Sequence, residues 1–124
     1  MIELFKKYLS GKEIDYEVQD SSMISFTYQE VKYLFISDNS DSNYFRMILP
    51  SIAQVTPKNK EVIEESINKY NLEIKGAKSF IYENTVWISI EQFVYSRLKI
   101  DELYERCLTI LQQSFKDFLK TNSK

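Results

Sequence analysis

An α+β fold is predicted for this chain, in the order α-β-β-β-α-β-β-α. A five-stranded, mostly antiparallel sheet carries three helices packed on one face. Three observations predict it. Runs rich in β-branched and aromatic residues come in two sets, at 23–28, 31–36 and 44–49, then at 78–82 and 85–93. Amphipathic segments of helical spacing bracket those sets. Connectors within each set are too short for parallel crossovers, so neighbouring strands pair as antiparallel hairpins.

Residues 2–10 place Ile2, Phe5 and Leu9 on one stripe, with Lys6 and Lys7 turned away, and Gly11 is expected to end that helix in the left-handed cap position. Tyr16 to Gln19 is a weaker extended segment leading into the sheet. Gln29-Glu30 has the length of a tight hairpin loop, although Asn-Gly is the usual choice for one. Residues 38–43 read as a polar loop, and Pro50, lacking an amide hydrogen, is expected to close the third strand. Thr56-Pro57 reads as an N-cap and first helical residue. That helix should bury Val62, Ile63, Ile67 and Tyr70 and leave Glu61, Glu64, Glu65 and Lys69 in water. A second hairpin turns at Glu83-Asn84. The final helix is the clearest element, with Ile100, Leu103, Tyr104, Cys107, Leu108, Leu111, Phe115, Phe118 and Leu119 on one stripe. Asp101 and Glu102 at its start and Lys116 and Lys120 near its end suit the helix dipole.

Composition narrows the function. A chain of 124 residues fits one domain, expected over 1–121 with a frayed tail at 122–124. At 14.8 kDa its folded surface should be about 7,000 Å². A formal net charge of −2 supplies no basic field for phosphates, so no nucleic-acid partner is expected. No segment has signal-peptide or membrane-spanning character, and the lone cysteine suits a reducing compartment, so cytoplasmic is the expected location, with no membrane partner. The absence of histidine removes Ser-His and Cys-His nucleophiles and most zinc sites. Cys107 lies on an apolar stripe and reads as a buried, inert thiol. The acidic loop at 38–42 lacks the glycine and the distal glutamate of a calcium loop. Ser66-Ile67-Asn68-Lys69 and Ser96-Arg97-Leu98-Lys99 match S-x-x-K without the partner motifs of acyl-transfer enzymes. An enzyme built on Glu91 and a tyrosine would need a deep cleft at that carboxylate. The expectation is a non-enzyme without cofactor or metal.

The element order resembles the type III secretion chaperone-like fold, and in particular the YbjN-like family of small bacterial proteins. The resemblance rests on the opening helix at 2–10, three meander strands ending in Leu49-Pro50, and the middle helix ending Ile67-Asn68-Lys69-Tyr70-Asn71. The hairpin at 79–93 and the acidic-start helix from Asp101 complete it. It implies a non-enzymatic, often dimeric protein. Secretion chaperones of this shape hold an extended client segment, and YbjN-like members are associated with regulation of stress and sensory responses.

Side-chain alternation sorts the two faces of the sheet. A two-residue turn at 29–30 sets Tyr28 against Val31, Phe26 against Tyr33 and Ile24 against Phe35 in one apolar layer, and Ile81–Val86 and Ser79–Ile88 extend it. The helices can cover only that layer. The reverse face then carries Leu34, Ile36, Tyr44, Ile48, Phe80, Tyr82 and Trp87 beside Arg46 and Lys32. Aromatic residues with arginine are the types enriched at interface cores. The expected function is therefore an adaptor or chaperone-like module. It would capture a polypeptide client or a second copy, as a homodimer, through Trp87, Phe80, Tyr82, Tyr44, Arg46, Ile48, Leu34 and Ile36. Arg46 would orient a carboxylate or carbonyl. The alternative is a regulatory or sensor domain holding a small apolar ligand against those aromatics, which would require a pocket of roughly 300 Å³ or more.

Overall fold

A computed structural model describes residues 1–122. Its elements are α1 (Ile2–Gly11), β1 (Tyr16–Asp20), β2 (Met23–Tyr28), β3 (Val31–Asp38), β4 (Asp41–Gln54), α2 (Lys60–Glu73), β5 (Ala77–Tyr82), β6 (Thr85–Phe93) and α3 (Ile100–Asn122). The tail expected at 122–124 falls, beyond Asn122, outside the described residues. The strands form one antiparallel sheet in the order β1-β2-β3-β4-β6-β5. The sheet has six strands rather than five, because Tyr16–Asp20 pairs along β2 as a full edge strand. Its five residues are all exposed, so it lacks the apolar run by which strands are recognised.

The pairings Phe26–Tyr33, Ile24–Phe35, Ser79–Ile88 and Ile81–Val86 occur as the alternation predicts. Both hairpin turns put two non-glycine residues at positive φ, Gln29 (50°) and Glu30 (67°), then Glu83 (48°) and Asn84 (62°). That is the signature of a type I′ turn, whose twist matches that of the strands. The polar loop at 38–43 contracts to Asn39-Ser40, because β4 already starts at Asp41.

Pro50 does not close its strand. β4 continues to Gln54 by bulging: Leu49 pairs with Ile88 and Ala53 with Val86, so Pro50, Ser51 and Ile52 face Trp87 alone. A bulge takes residues out of the ladder, which is where a proline without an amide hydrogen is tolerated. Ser51 takes φ 50° at this point.

Two helix ends also differ from expectation. Gly11 is the last residue of α1, and Glu13 (φ 57°) takes the left-handed position, with Ile14 N–H donating to the Leu9 carbonyl at 2.9 Å. This closure satisfies carbonyls of the last turn and turns Ile14 onto the core. α2 starts at Lys60, one turn after Pro57. The intervening turn is closed from both sides, Thr56 N–H donating to Asn59 Oδ1 (2.7 Å) and Asn59 N–H to Thr56 Oγ1 (3.3 Å). Val62 faces solvent at 58% exposure, while Ile63 and Tyr70 carry the buried stripe of α2.

The main core lies between the helices and one sheet face. Phe5 and Leu9 of α1 and Tyr104, Leu108 and Leu111 of α3 meet Ile24, Phe26, Phe35, Phe45, Met47, Ile88 and Ile90. Phe5 is its centre, stacked on Phe35 at 3.9 Å and edge-on to Tyr104 at 4.9 Å. Ile63, Val86 and Phe118 form a smaller cluster at the β4 bulge. All this lies on the layer predicted to be covered. The accessible area of 8,076 Å² is about 1,000 Å² above expectation for the mass, as suits two layers with one sheet face left without helices.

Candidate functional site

Register across the strands lays out the helix-free face row by row. One row crosses the whole sheet: Lys78, Ser89, Ile48, Leu34, Ser25 and Glu17 are successive partners. Its middle is recessed, with Ile48 2%, Ser25 4% and Ser89 7% exposed. Small serines between longer neighbours let those neighbours close over the row. Ile48 was expected to offer contact area and does not, because it is buried within the subunit.

On one side of that row, Phe80 pairs with Trp87 and Tyr82 with Thr85. The three rings stack, Phe80–Trp87 at 6.4 Å and Tyr82–Trp87 at 5.3 Å between centroids. The β4 bulge lies directly opposite Trp87. The indole N–H donates to Thr85 Oγ1 (2.7 Å), whose hydroxyl donates to the Tyr82 carbonyl (2.8 Å). Trp87 is thus held in place with its polar atom satisfied, half-buried, beside Tyr82 at 45% exposure.

On the other side, Arg46 pairs with Ile36 and Glu91, and Tyr44 with Phe93. Tyr44 Oη donates to Glu91 Oε2 (2.7 Å) and accepts from Arg46 Nε (3.2 Å). Burial is the main cause that raises the Tyr44 phenol above its ordinary range, so it remains a neutral donor. Arg46, expected to orient a partner's carboxylate, is joined through Tyr44 to the chain's own Glu91.

The predicted residues therefore do not form one patch. Phe80, Tyr82 and Trp87 gather at one end, and Tyr44, Arg46 and Ile36 at the other. Leu34 and the buried Ile48 lie in the row between. Six residue steps along β6 lead from Trp87 to Phe93, roughly 20 Å.

Phe93, 64% exposed with its ring 5.5 Å from that of Tyr44, extends the second end and was missed, as were the exposed Tyr95 (82%) and Leu98 (85%) in the connector that follows it. Phe93 shares the parity of Trp87 and Glu91, so the alternation reaches it when carried to the end of the strand. Tyr95 and Leu98 sit in a connector without periodicity, and no sequence signal marks them. That connector is fixed by Arg97, which donates to the Ser42 carbonyl (2.8 Å) and the Val94 carbonyl (3.2 Å).

The alternative chemistry finds little geometry. None of the five principal cavities, from about 210 to 660 Å³, is lined by Glu91 or by any of the eight predicted residues. Among the described residues no group of three or more Cys, Asp or Glu is placed to hold a metal ion. Asp38 Oδ1 instead accepts from Ser40 N–H (2.9 Å) and Oγ (2.7 Å), which closes the turn and lowers its pKa. Ser66 Oγ donates back to the Val62 carbonyl within α2. Burial pushes the Cys107 thiol up to about 12, far from a thiolate nucleophile. Among the described residues no helix is long and apolar enough to cross a membrane.

No family model and no curated protein matches the chain. Among solved structures it is similar to the crystal structure of YbjN from E. coli, described there as a candidate transcription regulator. The TM-score is 0.63 and the identity 10%, over 99% of this chain and 92% of that one. The fold is YbjN-like. At that identity the shared feature is the architecture, and the YbjN-like fold leaves the residues on the helix-free face to be judged by their own chemistry.

Proposed function

We propose that this YbjN-like chain is a non-enzymatic protein-binding module of adaptor or chaperone-like character, docking through the helix-free face of its sheet. The observation that carries the reading is the stacked Phe80–Trp87–Tyr82 cluster, which the chain positions with hydrogen bonds and leaves without a helix over it. Apolar aromatic area with a satisfied polar handle is the composition of interface hot spots. A second copy is the first occupant to test. A two-fold axis through the recessed middle row would set each Trp87 cluster against the partner's Tyr44–Phe93 end, with charges of both signs between them. The description of YbjN as a candidate transcription regulator fits a role exercised through protein contacts in a chain of net charge −2.

Sedimentation equilibrium on the full chain tests this. The wild type is expected to self-associate at micromolar concentration and Trp87→Glu to be monomeric, with unchanged circular dichroism. A monomeric wild type whose captured partners are the same with Trp87→Glu and Phe80→Asp would show that this face docks nothing.

A further inference from the structure

We propose that a groove on the opposite, helix-covered side of the molecule binds an amphipathic anion: a linear apolar chain ending in a carboxylate. Its location is independent of the docking face. Two cavities, of about 660 and 330 Å³, meet at Lys75, Arg106 and Ile110 and make one continuous groove. One wall follows α3 from Leu103 through Arg106 and Ile110 to Ser114, with Lys99 in the turn just before the helix. Steps of three or four residues keep that stripe on one side of the helix, for roughly 16 Å. The other wall is the connector 74–76 between α2 and β5.

The floor is apolar. Ile74, Leu103 and Ile110 are partly buried against the main core, and Ile90 lies beneath Gly76. Gly76 takes φ +79°, and a Cβ there would come 3.7 Å from Ile90 Cδ1, so a larger side chain would build over the floor. The rim is basic. In the wider cavity Lys75, Lys99 and Arg106 stand with one carboxylate, Glu102, and the narrower cavity adds a second, Glu73, so that the cations still outnumber the carboxylates. Among the described residues the ion pairs are Lys6–Glu3, Lys12–Glu105 and Lys60–Glu64, none of which uses these three cations. A concentration of unpaired positive charge stands out in a chain of net charge −2.

The two features select the occupant together. An apolar floor of this length favours a hydrocarbon chain, and unpaired cations along the rim of the wider cavity favour a carboxylate head. The volume lies within the small-ligand range of roughly 300–1,000 Å³. A polyanion would leave the floor unused, and an uncharged lipid would leave the rim unused.

The probe is dodecanoate, added below its micelle concentration to the ¹⁵N-labelled full chain and followed by amide chemical shifts. Saturable shifts are expected at residues 75–76 and along 99–110, and none at equal concentration of dodecyltrimethylammonium. Arg106→Glu should weaken binding at least tenfold, Arg106→Lys less than threefold, and Trp87→Glu not at all. Should Arg106→Glu fail to fold, Lys75→Glu reads the same electrostatics from the other wall. Absence of saturable shifts, equal shifts with the cationic chain, or shifts confined to the Trp87 face would overturn the proposal. So would an acidic amphipathic peptide that binds where dodecanoate does not, since the groove would then be a protein site.

Discussion

The two edges of the sheet are treated differently, and Asn71 shows how. β5 is an outer strand, and the N–H and C=O of Ser79 point away from β6. The Asn71 side chain, near the end of α2, takes both: Ser79 N–H donates to Asn71 Oδ1 (2.8 Å), and Asn71 Nδ2 donates to the Ser79 carbonyl (3.0 Å). One amide thus occupies the place of a neighbouring strand, and it does so at a residue only 2% exposed. Asn71→Ala removes these two hydrogen bonds, worth about 1 kcal/mol each, and a longer one from Ser79 Oγ to Asn71 Oδ1 (3.2 Å), so a loss of at least about 2 kcal/mol is expected. With an unfolding entropy of roughly 2.1 cal/mol/K per residue, that is about 8 °C in Tm. Asn71→Asp is the control: it retains the acceptor for Ser79 N–H but sets an oxygen against the Ser79 carbonyl, and should be no more stable than Asn71→Ala. Urea unfolding followed by circular dichroism measures both. Light scattering on the folded variants should also show more association than wild type, because an unguarded edge recruits strands. An Asn71→Asp variant as stable as wild type, or an Asn71→Ala loss below about 0.5 kcal/mol, would refute the reasoning.

Two further perturbations follow from the backbone and the core. Glu30 holds φ 67° in the first hairpin turn, so Glu30→Gly should relieve strain and raise stability by about 0.5–1 kcal/mol after glycine's unfolded-state entropy is included; a lowered Tm would contradict this. Burial holds the Tyr33 phenol and the Cys107 thiol up to about 12, so the unfolded chain releases these protons first. Stability from this source is complete below the ordinary values of 9.0 for the thiol and 10.0 for the phenol and is lost as pH rises toward 12, which urea midpoints across pH 8–11 would show. At pH 8, Cys107 should react with a thiol reagent only at the rate of unfolding; prompt reaction of the native chain would mean the thiol is reachable.

Much of the architecture was legible because its signals are periodic. The twenty-residue stripe of α3 and the alternation of β2, β3 and β6 each report a face buried against something apolar. Failures cluster where a tertiary partner replaces the local signal. β1 carries no buried residue of its own and is a strand because β2 offers a free edge. Pro50 signals an end in isolation, yet β6 continues alongside and the chain bulges to stay paired. Glu13 takes a turn that Gly11 was suited to, because Ile14 must reach the core.

The candidate site divides in the same way. Residue types and parity placed Trp87, Phe80, Tyr82, Tyr44 and Arg46 on the face without helices, since alternation is a property of each strand. Only the assembled sheet decided that Ile48 is buried, that Arg46 is tied through Tyr44 to Glu91, and that the aromatics gather at two ends. Strand order and register set those distances, and both depend on pairings between residues far apart in the chain. The groove along α3 goes further in that direction. Its walls come from α3 and from a connector some thirty residues earlier, and no local pattern in either records that the other lies across from it.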